Sequence, residues 1–421
     1  MPRIRDVLVD LNPWWKGDFT VDYKDRRIYG EIRKFLAQPQ ILALTGLRRV
    51  GKTTLMLKLI EDRIREGTDP KRVAYFSFDE LRDVELREIL DEYSTLVGTD
   101  VGQGGHLLFL DEVQKLDGWE HQLKALYDRH RGRLRIVISG SESLFIRRKS
   151  RETLAGRLFE FRVDPLSFRE YLGFRGVRYE PLGLHERELE RWFEEFLLTQ
   201  GFPELVGVRD KAVLKKYVHE SVIDRVVFRD LPMLLNVRDV STLRSLLDVL
   251  MEEPGQMIRL ADLAGELAVS RQTLSNYLTY FEESFLLRKL YNFSTGRRKV
   301  ERKLKKYYPT VLSVDLLFRD DDLARSKVLE WAVVNQLGAE FFWRDPYKNE
   351  VDVVVPDRTP TPIEVKYGRI DVAGLRAFMR RFGVAKGYVI TRRIEETRKD
   401  DGRTIVAVPA YKHLLADDAR A

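Results

Sequence analysis

One run of eight residues has the types and spacing needed to hold a phosphate group. The run GLRRVGKT, from Gly46 to Thr53, matches the pattern G-x-x-x-x-G-K-[ST] at every fixed position. The glycines let successive backbone N–H groups turn toward one anion, which a Cβ would obstruct. We expect Lys52 to reach the β- and γ-phosphates of a nucleotide and the Thr53 hydroxyl to bind Mg²⁺. A chance glycine turn is the alternative, and the strand-like and helical residues on either side argue against it.

A second pair of candidate residues follows a buried apolar run. Asp111 and Glu112 come directly after LLFL at residues 107–110. We expect Asp111 to hold Mg²⁺ through water and Glu112 to polarise the water that attacks the γ-phosphate. Ser139 or Ser141, after another apolar run, is a candidate γ-phosphate sensor, although a turn explains these serines equally well. The predicted nucleotide-binding residues are Gly46, Arg48, Gly51, Lys52, Thr53, Thr54, Asp111 and Ser139.

The C-terminal third contains a separate set of charged residues. Glu330 lies near the start of a predicted helix, Asp352 in a predicted strand over Glu350–Val355, and Glu364 and Lys366 in the next strand. Residues i and i+2 share one face of a strand, so Glu364 and Lys366 point the same way and Asp352 can meet them. Clustered carboxylates bind Mg²⁺ or Mn²⁺, and the lysine can then act on the attacking water. Surface charge on an ordinary sheet is the alternative.

The elements that must position the first set alternate between strand and helix. Predicted strands cover the apolar runs at residues 41–44, 73–78, 107–110 and 135–139. This alternation predicts a parallel sheet with helices on both faces, and such sheets bind ligands at the carboxyl ends of their strands. That edge is where the pattern places Lys52, Asp79, Asp111 and Ser139. The predicted fold class is therefore α/β, with a phosphate-binding loop in a parallel-sheet core.

Four motifs, GLRRVGKTT, LLFLDEVQ, SGSES and AGR…DPLSFREYL, occur in this order along the chain. The series resembles the AAA+-like ATPases of archaea and many bacteria, which are related to the STAND and origin-recognition ATPases. The resemblance covers roughly residues 10–300 and implies ATP and Mg²⁺ as ligands, an ATPase core at 1–170 and a helical lid at 171–238. By resemblance, Arg157 lies where such ATPases carry an arginine finger or an equivalent phosphate sensor. A solvated arginine beside a strand is the alternative.

Residues 239–310 show the pattern of a winged helix. A short helix at Leu260–Leu267 and a second helix at Arg271–Phe281, capped by Ser270, are joined by a tight turn, and Leu286–Tyr291 follows as a strand of a wing. The second helix carries residue types that reach base edges and phosphates. These residues are Arg271, Gln272, Thr273, Ser275 and Asn276. A winged helix used only for packing or protein contacts is the alternative.

The basic run at residues 297–306 is the second candidate nucleic-acid contact. Seven of the eleven residues in GRRKVERKLKK are Lys or Arg and one is acidic. Beside a winged helix, such a run is expected to contact DNA phosphates. A solvated loop is the alternative.

The set Glu330, Asp352 and Glu364-x-Lys366 resembles the PD-(D/E)XK nuclease superfamily. It also resembles the nuclease-like domain of unknown function that ends many ATPases of the kind described above. The resemblance covers about residues 310–415 and implies a nuclease-like α/β domain at 311–421 with Mg²⁺ or Mn²⁺. The proline that precedes the first Asp of the superfamily is replaced by Val351. Whether such a domain would still cleave is left open.

Composition limits the class of protein. A chain of 421 residues suggests two to four domains, and the absence of an apolar run of about 18 residues or of a signal sequence predicts a cytoplasmic protein without a membrane span. Cysteine is absent, which excludes disulfides and thiolate metal sites. The charged fraction of 33% and the few amides favour a thermophile, and the resemblance given above implies an archaeal one. The net charge of +7 favours an anionic partner, although a generally basic thermophile protein explains it equally well.

Two functions are consistent with these patterns. The first is an ATP-hydrolysing AAA+-like ATPase that handles DNA, with metal-dependent nuclease activity left open. The second is a STAND-type signalling ATPase whose C-terminal modules bind protein or nucleic acid without cleavage. A homo-oligomer is expected if Arg157 acts on ATP across a subunit boundary.

Overall fold

The structure, a computed structural model, describes residues 3–81, 84–140, 153–232, 239–296, 300, 304–400 and 402–417. The chain divides into two compact units, Met1–Pro165 and Leu166–Ala421. The first contains most of the predicted ATPase core. The second contains the segments predicted as lid, winged helix and nuclease-like domain, and those boundaries stay predictions.

The first unit is built on a sheet of five strands in the order β2-β3-β4-β1-β5. Every neighbouring pair in this sheet is parallel. β1, β2 and β3 are buried along their whole length, as continuous apolar runs predict. The α/β fold class with a parallel sheet is therefore confirmed. The strands are β1 (Ile41–Thr45), β2 (Val73–Ser77), β3 (His106–Asp111), β4 (Leu134–Gly140) and β5 (Leu158–Arg162).

The helices of the first unit follow the predicted alternation. In chain order they are Ile4–Leu11, Arg27–Phe35, Lys52–Arg65, Leu86–Val97 and Trp119–His130. A 3-10 turn at Pro13–Trp15 carries two tryptophans, and both indole N–H groups donate to the Val73 carbonyl, Trp14 at 3.0 Å and Trp15 at 2.8 Å. These bonds anchor the leading segment to β2.

The second unit contains two more five-stranded sheets, with the orders β10-β9-β7-β8-β6 and β11-β12-β13-β15-β14. β12, β13 and β15 are parallel neighbours, whereas β11 and β14 run antiparallel at the edges. The strands of the first of these sheets are β6 (Gln256–Met257), β7 (Leu287–Asn292), β8 (Lys305–Pro309), β9 (Phe341–Arg344) and β10 (Glu350–Val351). Those of the other are β11 (Val353–Val355), β12 (Thr361–Lys366), β13 (Lys386–Thr391), β14 (Glu396–Asp400) and β15 (Arg403–Pro409).

The helices of the second unit include Glu186–Thr199, which buries an apolar stripe and is therefore a core helix. A helix begins at Lys211 and continues after Lys216 as π-helical turns, Tyr217–Ile223 and Arg225–Asp230. No described helix is long and apolar enough to cross a membrane. The remaining helices are Phe168–Arg175, Val240–Glu252, Leu260–Glu266, Arg271–Glu283, Val314–Leu317, Asp322–Gln336, Ala373–Phe382 and Ala410–Asp417.

The two helices predicted to form a helix-turn-helix are present, at Leu260–Glu266 and Arg271–Glu283, and their use as a winged helix stays a prediction. Ser270 caps the helix Arg271–Glu283, and its Oγ accepts the Thr273 N–H at 3.0 Å. The short strand β6 and the antiparallel pair β7–β8 flank the two helices in the chain. This order of elements is the one that the winged-helix prediction requires, with the wing strand shifted by one residue.

The prediction of a single strand over residues 350–355 is wrong. The chain bends at Asp352, so β10 pairs with β9 while β11 pairs with β12 in the other sheet. The Asp352 carboxylate explains the break, because its Oδ2 accepts the Val365 N–H at 2.8 Å. The Asp352 side chain thus accepts the Val365 N–H, which would pair with a backbone carbonyl in a continuous strand ladder.

Candidate functional site

The predicted phosphate-binding loop joins β1 to the helix Lys52–Arg65. Gly46 has φ of +147°, and a Cβ there would lie 2.2 Å from the Val163 carbonyl oxygen. Gly51, immediately before the helix, has φ of +95°. Both positions therefore need glycine, the first for a close backbone approach and the second for a left-handed conformation. Arg48 is half-buried in this loop, and Thr54 is exposed in the first helical turn.

Two cations hold the backbone of this loop. The Lys52 ammonium is buried and donates to the carbonyl oxygens of Gly46 and Leu47, at 2.9 and 2.8 Å. Arg26, also buried, donates to the Val50 carbonyl at 2.8 Å and to the Asp164 carbonyl at 2.7 Å. Sequence reasoning missed Arg26, because a residue far before the motif gives no local signal. The guanidinium fixes the loop from the opposite end to Lys52.

Asp111, at the end of β3, is the centre of a hydrogen-bonded group. Its Oδ2 accepts the Thr53 hydroxyl and the Tyr75 hydroxyl, both at 2.7 Å, and its Oδ1 accepts the Ser139 hydroxyl. The structure thus brings together three predicted residues, Thr53, Asp111 and Ser139, and adds Tyr75 from β2. Burial and the negative charge of Asp111 raise the pKa of Tyr75, so its hydroxyl stays protonated and donates.

Glu112 has an unusual backbone conformation beside this group. Its φ of +54° is left-handed, which is uncommon for a residue other than glycine, and its N–H donates to the Ser139 hydroxyl oxygen at 3.1 Å. Its side chain accepts a hydrogen bond from Gln114 at 2.5 Å. Strain of this kind concentrates at functional sites. Ser141, the other candidate phosphate sensor, lies outside the described residues.

Two other predicted residues of the first unit are paired away from this group. Arg157 donates from Nε to Asp128 at 2.8 Å and from Nη2 to the other carboxylate oxygen at 3.3 Å. These bonds lower the pKa of Asp128. Asp79, at the end of β2, forms an ion pair with Lys115. The structure therefore does not bring Arg157 to the phosphate loop of its own chain, and its role stays a prediction.

In the second unit, Lys306 lies among the predicted carboxylates. Its ammonium is 2.5 Å from Glu350, 3.3 Å from Glu330 and 3.6 Å from Asp352, and its side chain is 5% exposed. The Tyr308 hydroxyl, on the same strand, donates to Glu330 at 2.5 Å. Burial alone would lower the pKa of Lys306, but the surrounding carboxylates and Tyr308 raise it well above its usual value. A charged lysine therefore offsets part of the negative charge of this cluster.

Glu364 and Lys366 pair with each other on β12, as the two-residue spacing predicts. The Lys366 ammonium lies 2.8 Å from Glu364 Oε1, whereas Glu364 Oε2 is buried without a hydrogen-bond partner. Continuing the β11–β12 register by one residue places Asp352 opposite Glu364. Burial, reinforced by Glu330 and Glu364, raises the pKa of Asp352 to about 7, although Lys306 opposes the rise. Burial also raises the pKa of Glu364.

This geometry does not fit a divalent metal ion. Within the described ranges, no group of three or more His, Cys, Asp or Glu side chains is arranged to hold one. Lys306 supplies the positive charge that a metal would bring to Glu330 and Asp352. The metal assignment of Glu330, Asp352 and Glu364 therefore stays a prediction without support from these contacts.

Lys306 was also predicted to contact DNA as the last member of the basic run, and this is wrong. It is 4% exposed and faces carboxylates rather than solvent. Residues 297–299 and 301–303, which hold most of the basic side chains, lie outside the described residues. In the helix Arg271–Glu283, Arg271 and Gln272 are exposed, while the opposite face, with Leu274 and Phe281, is buried. That helix can therefore offer its polar face to a partner.

The parallel sheet, the glycine loop and the Thr53–Asp111 pair define the class of P-loop ATPases. Residues 38–172 match the family model of the AAA domain, which supports an AAA-type P-loop ATPase. Residues 190–310 and 329–411 match two domains of unknown function, DUF8612 and DUF4143.

Relatives extend over more of the chain at low identity. Uncharacterized protein MJ1637 of Methanocaldococcus jannaschii is 27% identical over 406 residues, covering 83% of this chain and 80% of the relative. Uncharacterized protein MJ1544 of the same organism is 28% identical over 279 residues, which is 64% of this chain and only 61% of the relative. Among solved structures, Cdc6p from Pyrobaculum aerophilum matches 76% of this chain and 98% of its own at 14% identity, with a TM-score of 0.32.

Proposed function

We propose that this chain binds and hydrolyses ATP and uses the cycle to handle DNA without cutting it. The observation that carries the ATPase part is the Thr53 hydroxyl, 2.7 Å from Asp111, at the start of the helix that follows the glycine loop. A hydroxyl and a carboxylate are the hard oxygen ligands that Mg²⁺ prefers. Mg²⁺ held by Thr53 and Asp111 would neutralise charge on the β- and γ-phosphates.

The remaining roles follow from the contacts in the loop. Lys52 now donates to two loop carbonyls, and phosphate oxygens would replace those acceptors when ATP binds. Glu112 is the general base or water-positioning residue, because it follows Asp111 directly and its backbone is fixed by Ser139. Ser139 contacts both acidic residues, so it can report on the γ-phosphate.

Two substitutions separate binding from turnover. Lys52→Ala removes the ammonium that reaches phosphate, so binding of a fluorescent ATP analogue should be lost. Glu112→Gln should retain binding and reduce turnover by at least about a hundredfold, as expected for a general base. Gln114→Ala, which removes only a neighbour of Glu112, is the matched control and should retain most turnover. ATP hydrolysis that is unchanged in Glu112→Gln would remove Glu112 from the mechanism.

The DNA part of the proposal rests on the helix Arg271–Glu283. Its exposed Arg271 and Gln272 stand at the N-terminal end of the second helix of the helix-turn-helix, the end that reads bases in such motifs. The net charge of +7 favours a polyanionic partner. The alternative use of this element, protein contacts alone, is the signalling function.

A titration with labelled duplex DNA at several salt concentrations tests this part. Arg271→Gln should weaken binding and, if Arg271 contacts a phosphate, reduce the log–log salt slope by about one. Arg358→Gln removes an exposed arginine from a loop elsewhere in the same unit and is the matched control. Wild-type protein that binds neither duplex nor single-stranded DNA would refute DNA handling and leave a signalling ATPase.

The contacts of Lys306 support the proposal that the chain does not cleave DNA. A metal-dependent nuclease needs its carboxylates for the ion, and here Glu330 and Asp352 contact an ammonium instead. Asp352 lies opposite Glu364, and Glu364 pairs with Lys366, as a nuclease site would require. DNA cleavage is therefore the second candidate function. Incubation with branched, single-stranded and duplex DNA, with Mg²⁺ or Mn²⁺ and with or without ATP, separates the two. Products that disappear in Asp352→Asn would establish the nuclease.

A further inference from the structure

The second unit contains a cavity of about 570 Å³ at the carboxyl ends of its parallel strands. Tyr367 follows β12, Arg392 and Arg393 follow β13, and Tyr411 lies in the helix that follows β15, and all four line the cavity. Open α/β sheets bind ligands in crevices at this edge. The volume lies within the range of about 300–1,000 Å³ that is usual for small-molecule sites.

The cavity combines an apolar wall with a cationic rim. Phe193, Leu197 and Leu329 contribute to the apolar part. Four acidic residues also line the cavity, but the arginines outnumber them. The six arginines are Arg191, Arg209, Arg319, Arg325, Arg392 and Arg393. An excess of guanidinium groups around an apolar wall is complementary to a ligand that has an apolar body and a negative charge.

Tyr367 contacts two arginines in this cavity. The Arg392 guanidinium lies over the Tyr367 ring, 5.2 Å from its centroid. Arg325 Nη1 donates to the Tyr367 hydroxyl at 3.0 Å. This aromatic ring between two guanidinium groups is suited to stack against a planar ligand.

The ion pairs on the rim position the arginines without using all their donors. Arg392 Nη2 donates to Glu194 at 2.8 Å, and Arg393 Nε donates to Glu190 at 2.9 Å. Arg325 forms an ion pair through Nη2 with Asp320, in addition to its bond with Tyr367. A guanidinium carries five N–H donors in a fixed fork, so a group held by one or two hydrogen bonds still has donors for a carboxylate, sulfonate or phosphate. The rim is therefore prepared for an acidic group.

We propose that this cavity binds a small organic anion in which a flat apolar ring system carries an acidic group. The ring lies against Tyr367 and the apolar wall, and Arg325 and Arg392 bind the acidic group. The proposal is independent of ATP hydrolysis and of DNA binding, because all the residues that carry it lie in the second unit and none belongs to the helix-turn-helix.

Two fluorescent probes that differ by one sulfonate test the proposal on the full-length chain. They are 8-anilinonaphthalene-1-sulfonate and the uncharged N-phenyl-1-naphthylamine. We expect the sulfonate to saturate one site and to bind more tightly than the neutral probe. The double variant Arg325→Gln/Arg392→Gln should weaken sulfonate binding at least about tenfold, since hydrogen bonds to charged groups are lost, and should change binding of the neutral probe little.

The matched control is Arg380→Gln, which removes an exposed arginine from the helix Ala373–Phe382 outside the cavity. It should bind both probes as the wild type does. Circular dichroism confirms that each variant is folded, and the single Arg393→Gln variant replaces the double variant if that one is not. Sulfonate binding that is equal in wild type and variant, or reduced equally by Arg380→Gln, would overturn the proposal.

Discussion

Replacing Lys306 by methionine removes the ammonium that contacts Glu330, Glu350 and Asp352 and keeps most of the side-chain volume. Loss of one partner from a buried ion pair costs about 3–5 kcal/mol, because a charge stays behind without its counter-ion. Glu330 retains the Tyr308 hydroxyl and Glu350 retains Arg344 as hydrogen-bond donors. We therefore expect a loss near the lower end, about 3 kcal/mol of unfolding free energy at about pH 8.

The loss should shrink at lower pH. The pKa of Asp352 is about 7 in the folded chain, raised by burial, and Lys306 holds it below the value that burial would otherwise give. A carboxyl group whose pKa is raised by folding favours the folded chain once it is protonated, and penalises it as pH rises through that pKa. At about pH 5 Asp352 is protonated in the variant and the wild type, so the part of the loss that comes from its pairing with Lys306 disappears.

A divalent cation should substitute for the missing ammonium. Mn²⁺ at about 100 times its dissociation constant would add about 2.7 kcal/mol to the stability of the variant. Scanning calorimetry of the full-length chain at the two pH values measures the stability, and isothermal titration with Mn²⁺ in the absence of nucleotide measures binding. Wild-type protein should neither bind Mn²⁺ nor be stabilised by it.

Lys289→Met is the control for this experiment. Lys289, on β7, is partly buried and forms an ion pair with a single carboxylate, with its ammonium 2.5 Å from Glu282 Oε2. It should lose less stability and gain no response to Mn²⁺. The reasoning is refuted if wild-type protein binds Mn²⁺ in a manner that Asp352→Asn abolishes, since a metal would then coexist with Lys306. An equal loss for Lys306→Met at both pH values would show that its pairing with Asp352 does not contribute to stability.

Three further predictions concern the first unit. Gly46→Ala should abolish binding of a fluorescent ATP analogue, because the added Cβ meets a carbonyl oxygen at 2.2 Å, whereas Gly67→Ala, with nothing within 4 Å, should not. Tyr75→Phe removes one hydrogen bond to a carboxylate, about 1.5–3 kcal/mol, so the Mg²⁺ concentration for half-maximal ATPase should change at least about tenfold. An unchanged Mg²⁺ dependence would assign Tyr75 to packing. Mixing Arg157→Ala with Lys52→Ala protein should restore activity if Arg157 acts in trans, and no rescue would place it in cis or in packing.

The phosphate site could be predicted because its signal is local. The glycine loop with the helix start after it, and the acidic pair after β3, are each encoded by a short continuous stretch of sequence. The apolar strands β3 and β4 are parallel neighbours, so they bring Asp111 and Ser139 to the same edge of the sheet. Arg26 and Tyr75 could not be found this way, since they reach the site through tertiary contacts of their own. The sequence indicates only that successive side chains of β2 point to opposite faces of the sheet. It does not indicate which residue the Tyr75 side chain contacts.

Lys306 shows how a linear charge pattern misleads. It was counted with six other basic residues as a solvent-facing run, although a strand alternates its faces. Lys306 and Tyr308 share one face of β8, and Tyr308 is fully buried, so their face is the inner one. The sequence does not show which face of β8 holds the cluster, because Tyr307 on the other face is a tyrosine too and is also buried.

The same lysine bears on whether the last two predicted domains are independent. β8, which carries Lys306, belongs to the segment predicted as a winged helix, whereas Glu330, Glu350 and Asp352 belong to the nuclease-like segment. β7 also pairs with β9, so one sheet contains strands from both segments. A fragment that begins at residue 311 would lose these strands and the counter-ion of its carboxylates together. Metal binding and DNA cleavage must therefore be measured on a chain that retains β7 and β8, since a negative charge cluster exposed by truncation would bind cations for reasons unrelated to the intact protein.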